Sequence, residues 1–576
     1  ALVSSDSLFN IPLITALCIM EISLFSASAV FQGALPHPVF IMTSLGPIFA
    51  DDLARVKPGD RLRLTISAQT SDAAALAQAA LEARARGERV LVVCADPADV
   101  PRLAQEMPWF EPNLDVRPLP DWETLPYDVL SPQEELVSER LEALYRLTAP
   151  TGGADVLLTS AVTASQRLSP VSYIGANTFF FHQGEQISLT TLQKRLAAAG
   201  YANVKQVLAA GEFAVRGSIV DVFPMGSERP FRLDFFDDEI ESIRWFDVDT
   251  QRSMESAEEI RLLPGHEFPV DPEALLAFRQ RWRREFAGDP KKSIVYCDIE
   301  KEILPPGIEY YLPLFFDETA ALTDYLPPNA RVFLLGDIEA ALQAFGRDMA
   351  SHYKVLAADP QRPALAPERI WLKPEEFFKS LANFARFTVE KKENAEDLKC
   401  LSGIEVDRKS QNPVGKLLER TRESAMKGVR TLIAAPSAGR METMSQLLRT
   451  GGLSVEEFSD WQTFLEADSS LGISAAPLFS GAVFHHPEIV ILSEAELYAA
   501  SPRRHRLRRV KHATTLEMMV RDVAELKPGD AVVHADHGIG RYQGLVHMET
   551  PDGDAEFLEI TYKNDAKLFV PITNLQ

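Results

Sequence analysis

Short apolar runs closed by turn residues, each followed by a helical pattern, constrain this chain more than any other feature. "RVLVVCADP" (89–97) and "ADVLLTSA" (154–161) are apolar on both faces, as strands of a parallel sheet covered on both sides must be. Between them, "SPQEELVSERLEALYRL" opens with Ser131, Pro132 and Glu134, read as an N-cap, a first-turn proline and the third residue of a capping box. Val137, Leu141 and Leu144 then mark one helical face. Strand–helix–strand order predicts an α/β layer architecture. At 576 residues, the chain exceeds the ~250–300 that one core sustains, so several units are expected.

The rhythm changes along the chain. Residues 177–262 read as a β-rich insert, rich in consecutive strands and acidic turns such as Asp237–Asp238. In "FRLDFF", period-two alternation sets Phe231, Leu233 and Phe235 on one face and Arg232, Asp234 and Phe236 on the other. If the first set is core, an arginine and a large aromatic share the outer face, a combination enriched where proteins bind one another. Arg216 points away from Phe213 and Val215 in the same way. The expected divisions are 42–176 and 263–385 for two parts of one α/β lobe, 386–415 for a lysine-rich linker and 416–500 for a second α/β domain. A basic linker follows at 501–520, holding "RRHRLRRVKH" (503–512), which reads as solvated rather than DNA-binding. The final segment, 521–576, gives four short strands: "KPGDAVVH", "GRYQGLVHM", "AEFLEITY" and "AKLFVPI".

Catalytic motifs fail one by one. The only Gly-Lys pair, Gly415-Lys416, lacks the remainder of a P-loop, and "SAQTSDAAALAQAALEA" (67–83) has no glycine to cradle phosphate. "HADHGIG" offers His534, Asp536 and His537, but two histidines three apart on a strand face opposite ways and no further ligand is nearby. Its glycines are expected to serve a turn. The cysteines Cys18, Cys94, Cys297 and Cys400 show no zinc spacing and no disulfide framework. A net charge of −23 argues against bulk electrostatic binding of nucleic acid. Residues 1–41 contain a long apolar stretch, yet the first basic residue is Arg55, so neither a signal peptide nor a membrane anchor is favoured. They are expected to be an extension outside the folded protein.

"DWETLPYD" (121–128), "GEFAVRGSIVDVFPMGSERPFRLDFFDDEIESIRWFDVD" (211–249), "GIEYYLPLFF" (307–316), "VVHADHGIGRYQGL" and "NDAKLFVPI" resemble the bacterial transcription-repair coupling factors, in order, from about residue 43 onward. The resemblance implies the N-terminal part of that family, from a UvrB homology module to an RNA polymerase-interacting domain, truncated before the motor domains. It implies a multidomain α/β fold: a degenerate helicase-like lobe with a UvrA-binding β-rich insert, a second small α/β domain, and a small C-terminal β-barrel of the CarD/Tudor type. UvrA would be met by Arg216, Arg232 and Phe236, and the β subunit of RNA polymerase by a strand edge at Leu545, Val546 and Met548. The family's ATP, magnesium and double-stranded DNA contacts would belong to the missing motor, leaving this chain a cytoplasmic adaptor with no cofactor, no metal and no catalytic residue. The rival reading is a UvrB-like ATP-dependent loading enzyme.

Overall fold

The computed structural model describes residues 55–149, 153–407 and 410–498, and strand segments 531–534, 538–550, 553–562 and 567–571. Residues 1–41 and the basic run 503–512 lie outside the described residues. Among those described, no helix is long and apolar enough to cross a membrane.

The chain begins with β1 (Arg61–Ser67), α1 (Asp72–Ala85), β2 (Val90–Cys94), α2 (Asp99–Phe110), β3 (Val116–Pro118), α3 (Glu134–Thr148) and β4 (Val156–Ser160). The insert contributes β5 (Phe179–His182), β6 (Ala202–Asn203), β7 (Glu212–Arg216), β8 (Ile219–Val222), β9 (Phe231–Phe236), β10 (Glu239–Phe246), β11 (Ser253–Ala257) and β12 (Glu259–Leu262). The chain then returns through β13 (Arg331–Leu335), α4 (Ile338–Leu356) and β14 (Ala385–Lys392). The first sheet has the order β1-β14-β13-β2-β4-β3 and is parallel throughout.

The apolar strands read from the sequence are buried on both faces, and each face meets a different core. Val90, Val92 and Cys94 of β2 lie with the alanines of α1 and with Leu103, Met107 and Phe110 of α2. Leu91 and Val93 face α3 and the insert, sharing a core with Leu141, Phe213, Val220, Leu233 and Phe235. The insert is therefore fused to the lobe by common apolar burial. Fully burying each large side chain contributes about 1.5–3 kcal/mol.

Residues 386–415 are not simply a linker. Ala385–Lys392 form β14, a central strand between β1 and β13, and Ala395–Cys400 form a short helix. Ala385, Arg386, Phe387 and Val389 are buried while the terminal lysines are exposed, so the strand's polar end concealed its core face. Ser131 does not cap α3, whose N-cap is Gln133. Its hydroxyl instead accepts from the Gly307 N–H at 3.0 Å and donates to Glu309 Oε2 at 2.8 Å. Gly307 has φ +78°, and a Cβ there would approach Asp128 O to 2.5 Å, so both conformation and space demand glycine. The stretches 121–128 and 307–316 thus close on each other, with Trp122 and Tyr310 edge to face at 5.4 Å.

The second unit comprises α5 (Gly415–Met426), β15 (Arg430–Ala435), α6 (Ala438–Thr450), β16 (Glu456–Phe458), α7 (Trp461–Glu466), β17 (Leu471–Ala475), β18 (Ala482–His485) and β19 (Glu488–Ser493). Its sheet, β16-β17-β15-β19-β18, is parallel except for the edge strand β18. Trp461, Phe464, Phe484 and Ile491 enter the core formed by α1 and α2, and Trp109 Nε1 donates to Ala475 O at 3.2 Å. Four antiparallel strands follow in the order β20-β21-β22-β23: β20 (Ala531–His534), β21 (Gly538–Thr550), β22 (Gly553–Thr561) and β23 (Lys567–Pro571).

Candidate partner-binding surfaces

The insert's outer face is built on a six-stranded sheet, β11-β10-β9-β8-β7-β6. Alternation in β9 places Phe231, Leu233 and Phe235 in the core, each at most 5% exposed, and leaves Phe236 67% exposed. Phe236 ends β9 just before the hairpin turn, where Asp237 takes φ +51°. Aromatic residues and arginine are enriched at protein–protein interfaces relative to the rest of the surface.

Arg232 is not freely exposed. Its Nε and Nη2 donate to the two carboxylate oxygens of Asp221 at 2.6 and 2.9 Å, a bidentate fork that fixes the guanidinium plane. The guanidinium lies 5.0 Å from the Phe246 ring centroid, and Nη1 donates to Gln251 O and Ser253 Oγ. Asp221 is 1% exposed and faces Arg232 directly across β8 and β9. Arg216 Nη1 lies 4.0 Å from the same carboxylate, while Nη2 donates to Lys205 O at 3.0 Å. One buried carboxylate therefore anchors Arg232 and lies at the outer limit of an ion pair with Arg216. Asp221 went unnoticed in the sequence, although an acidic residue opposite Arg232 inside "SIVDVF" was the available signal. Arg244, exposed and paired in register with Arg232 on β10, was also missed and adds a third cation to this face.

The second surface is an edge. β20 covers β21 only over Gly538–Arg541, whereas β22 pairs with β21 from Arg541 to Thr550. From Gln543 onward, β21 has a partner strand on one side only among the described residues. Unpaired backbone groups on such an edge can accept a further strand. Leu545, Val546 and Met548 fall in this stretch, opposite Leu558, Phe557 and Ala555. Val546 is half-buried; the side chains of Leu545 and Met548 lie outside the described residues. Gly538 and Gly540 sit within β21, opposite His534 and Val532, rather than in a turn. Gly544 has φ +144° at the register shift in β21, the place of a bulge glycine. Asp536 and His537 lie outside the described residues, and His534 is seen only as strand backbone.

A third locus is the loop between β1 and α1, where a P-loop would sit in a nucleotide-binding lobe. Ser71 caps α1 through the Ala74 N–H. The second unit closes over the loop: the Val483 N–H donates to Gln69 O at 2.9 Å and Thr70 Oγ1 donates to Val483 O at 3.2 Å. Beside it, Asp72 takes a bidentate fork from Arg102 at 2.9 and 2.8 Å and an ion pair from Lys391 at 2.8 Å. Burial alone would raise the Asp72 carboxyl, but Lys391 and Arg102 outweigh it and hold it down at about 2.

A parallel α/β lobe carrying an arginine-and-aromatic face on one insert and an open strand edge on a terminal sheet defines a multidomain α/β protein with two candidate docking surfaces. Its domains match, in chain order, the UvrB interaction domain at 179–268, the MFD D3 domain at 425–497 and the CarD-like/TRCF RID domain at 526–576. The chain carries the N-terminal region of the transcription-repair coupling factor family. It is similar to the transcription-repair-coupling factor of Haemophilus influenzae, 37% identical over 496 residues, which cover 84% of this chain and 42% of that protein. The Escherichia coli protein is 36% identical over the same shares, and the Bacillus subtilis protein 25% identical over 77% of this chain and 38% of its own length. The chain thus spans about 42% of the length of the Haemophilus influenzae and Escherichia coli relatives.

Proposed function

We propose that this chain is the recognition part of a cytoplasmic transcription-repair coupling factor, joining RNA polymerase to UvrA. The observation that carries the reading is the exposed Phe236 with Arg232, held by Asp221, and the exposed Arg216, on a unit that matches the UvrB interaction domain. In this reading Arg216, Arg232 and Phe236 form the UvrA contact within an insert at 177–262. The 521–576 segment is a CarD/Tudor-like barrel that docks the polymerase β subunit by strand addition at Leu545, Val546 and Met548, backbone hydrogen bonds supplying the affinity. The flanking parts at 42–176 and 263–385 form a degenerate helicase-like lobe, and 416–500 connects it to the barrel. ATP, magnesium and double-stranded DNA act on the family's motor. The rival reading as a UvrB-like loading enzyme draws no support from a P-loop position that is covered by β18 and flanked by an internal ion network.

Phe236→Ala is expected to weaken UvrA binding by about 2 kcal/mol, roughly thirty-fold, and to shift unfolding by less than about 0.5 kcal/mol because the ring is exposed. Titration calorimetry with purified UvrA checks the first and urea melts the second; unchanged affinity would remove Phe236 from the interface. Joint replacement of Leu545, Val546 and Met548 by alanine is expected to abolish retention of RNA polymerase on immobilised chain while leaving UvrA binding intact. Undiminished retention of RNA polymerase by the variant would reject the assignment of this edge.

A further inference from the structure

Away from both docking surfaces, a groove of about 510 Å³ runs between one face of α4 and the segment Ala366–Pro374. Phe345, Met349 and Tyr353 line it from the helix and Trp371 from the opposite wall, with Phe345 and Trp371 edge to face at 5.2 Å. Its volume suits one small organic molecule, and aromatic walls with few polar groups are the usual lining of such sites.

Two observations say what would fill it. Gly346 lies inside the 19-residue helix α4 and lines the groove, yet a Cβ placed there would meet nothing within 4 Å. Glycine weakens a helix interior relative to alanine, and no neighbour in the chain demands its smallness. What it does is leave the helix wall of the groove open, at a position that is itself exposed. The rim also carries Lys354 and Lys373 against a single carboxylate, Glu368. Lys373 lies 3.4 Å from Glu368, whereas Lys354 has no carboxylate within ion-pair distance among the described residues. The mouth is therefore cationic above an apolar floor.

We infer that this groove binds a small apolar anion: a flat, ring-bearing body seated against Gly346 and Trp371, with its acidic group at Lys354. Two fluorescent probes test it, anilinonaphthalene sulfonate, and phenylnaphthylamine, which has a like body without the sulfonate. The wild-type chain is expected to bind both saturably. Gly346→Leu fills the groove from its helix wall and is expected to remove the saturable binding of both without lowering the thermal midpoint; Ala350→Leu, on the same wall, is the second filler. Lys354→Glu is expected to weaken the sulfonate about tenfold and leave the neutral probe within about twofold. No saturable binding to wild type, or binding untouched by both fillers, would overturn the site. Equal response of both probes to Lys354→Glu would overturn the anion assignment and mark an apolar docking groove.

Discussion

Replacing Asp72 by alanine is expected to lower the unfolding free energy by roughly 3 kcal/mol at pH 7. The carboxylate is 3% exposed and compensates both Arg102 and Lys391, and removing one member of a buried pair costs about 3–5 kcal/mol. Arg102 keeps Asp99 and Glu106, and Lys391 is more open to water, which sets the expectation at the low end. The pH dependence has a fixed sign. The folded carboxyl at about 2 lies below its ordinary 3.8, so its stabilisation is full above that ordinary value and is lost as pH falls toward the folded one. Urea titrations of wild type and Asp72→Ala should therefore diverge at pH 7 and converge near pH 2. A difference under about 1 kcal/mol at pH 7 would show that this network contributes little.

Glu309 acts in the opposite direction. Burial pushes its carboxyl up to about 7, against the hydrogen bond from Ser131. Between the ordinary 4.5 and about 7 the unfolded chain releases a proton that the folded one retains, so stability falls as pH rises through this window. The loss amounts to about 3 kcal/mol by linkage. His266, lowered to about 4 by burial, works against it by favouring the folded chain as pH rises from 4 toward 6.5. The informative quantity is the difference between wild type and Glu309→Gln, which keeps an acceptor for Ser131. The variant is expected to gain stability relative to wild type from pH 5 to 7 and to show no relative change above. A flat difference across that range would place Glu309 in a more polar setting than its contacts imply.

Much of the architecture was legible because β2 and β4 are apolar throughout and β9 alternates, patterns that suit a doubly covered sheet and a singly covered one. The four terminal strands were also legible from their turns. What the sequence hid was pairing at a distance. β14 ends in lysines and passed for a linker because its neighbours, β1 and β13, are separated from it in the chain. Ser131 looked like a helix cap because nothing local reveals Gly307 and Glu309. At the candidate UvrA face, alternation exposed Phe236 but could not show that Arg232 is held half-buried by Asp221. Side-chain direction is local; a partner on another strand is not.

The placement of β14 sets an order of events during synthesis. β1 is an edge strand whose one ladder neighbour is β14, with Arg61 opposite Arg386, roughly 300 residues downstream. At the usual pace of translation that interval lasts on the order of half a minute. Throughout it the insert can complete its own sheet, antiparallel except where β6 joins β7, whose strands are consecutive and locally joined, while β1 has no partner strand. The nascent chain should thus finish the insert first and zip the older lobe shut around it. Pulse proteolysis of ribosome-stalled chains is the experiment that would see protection arrive in that reversed sequence.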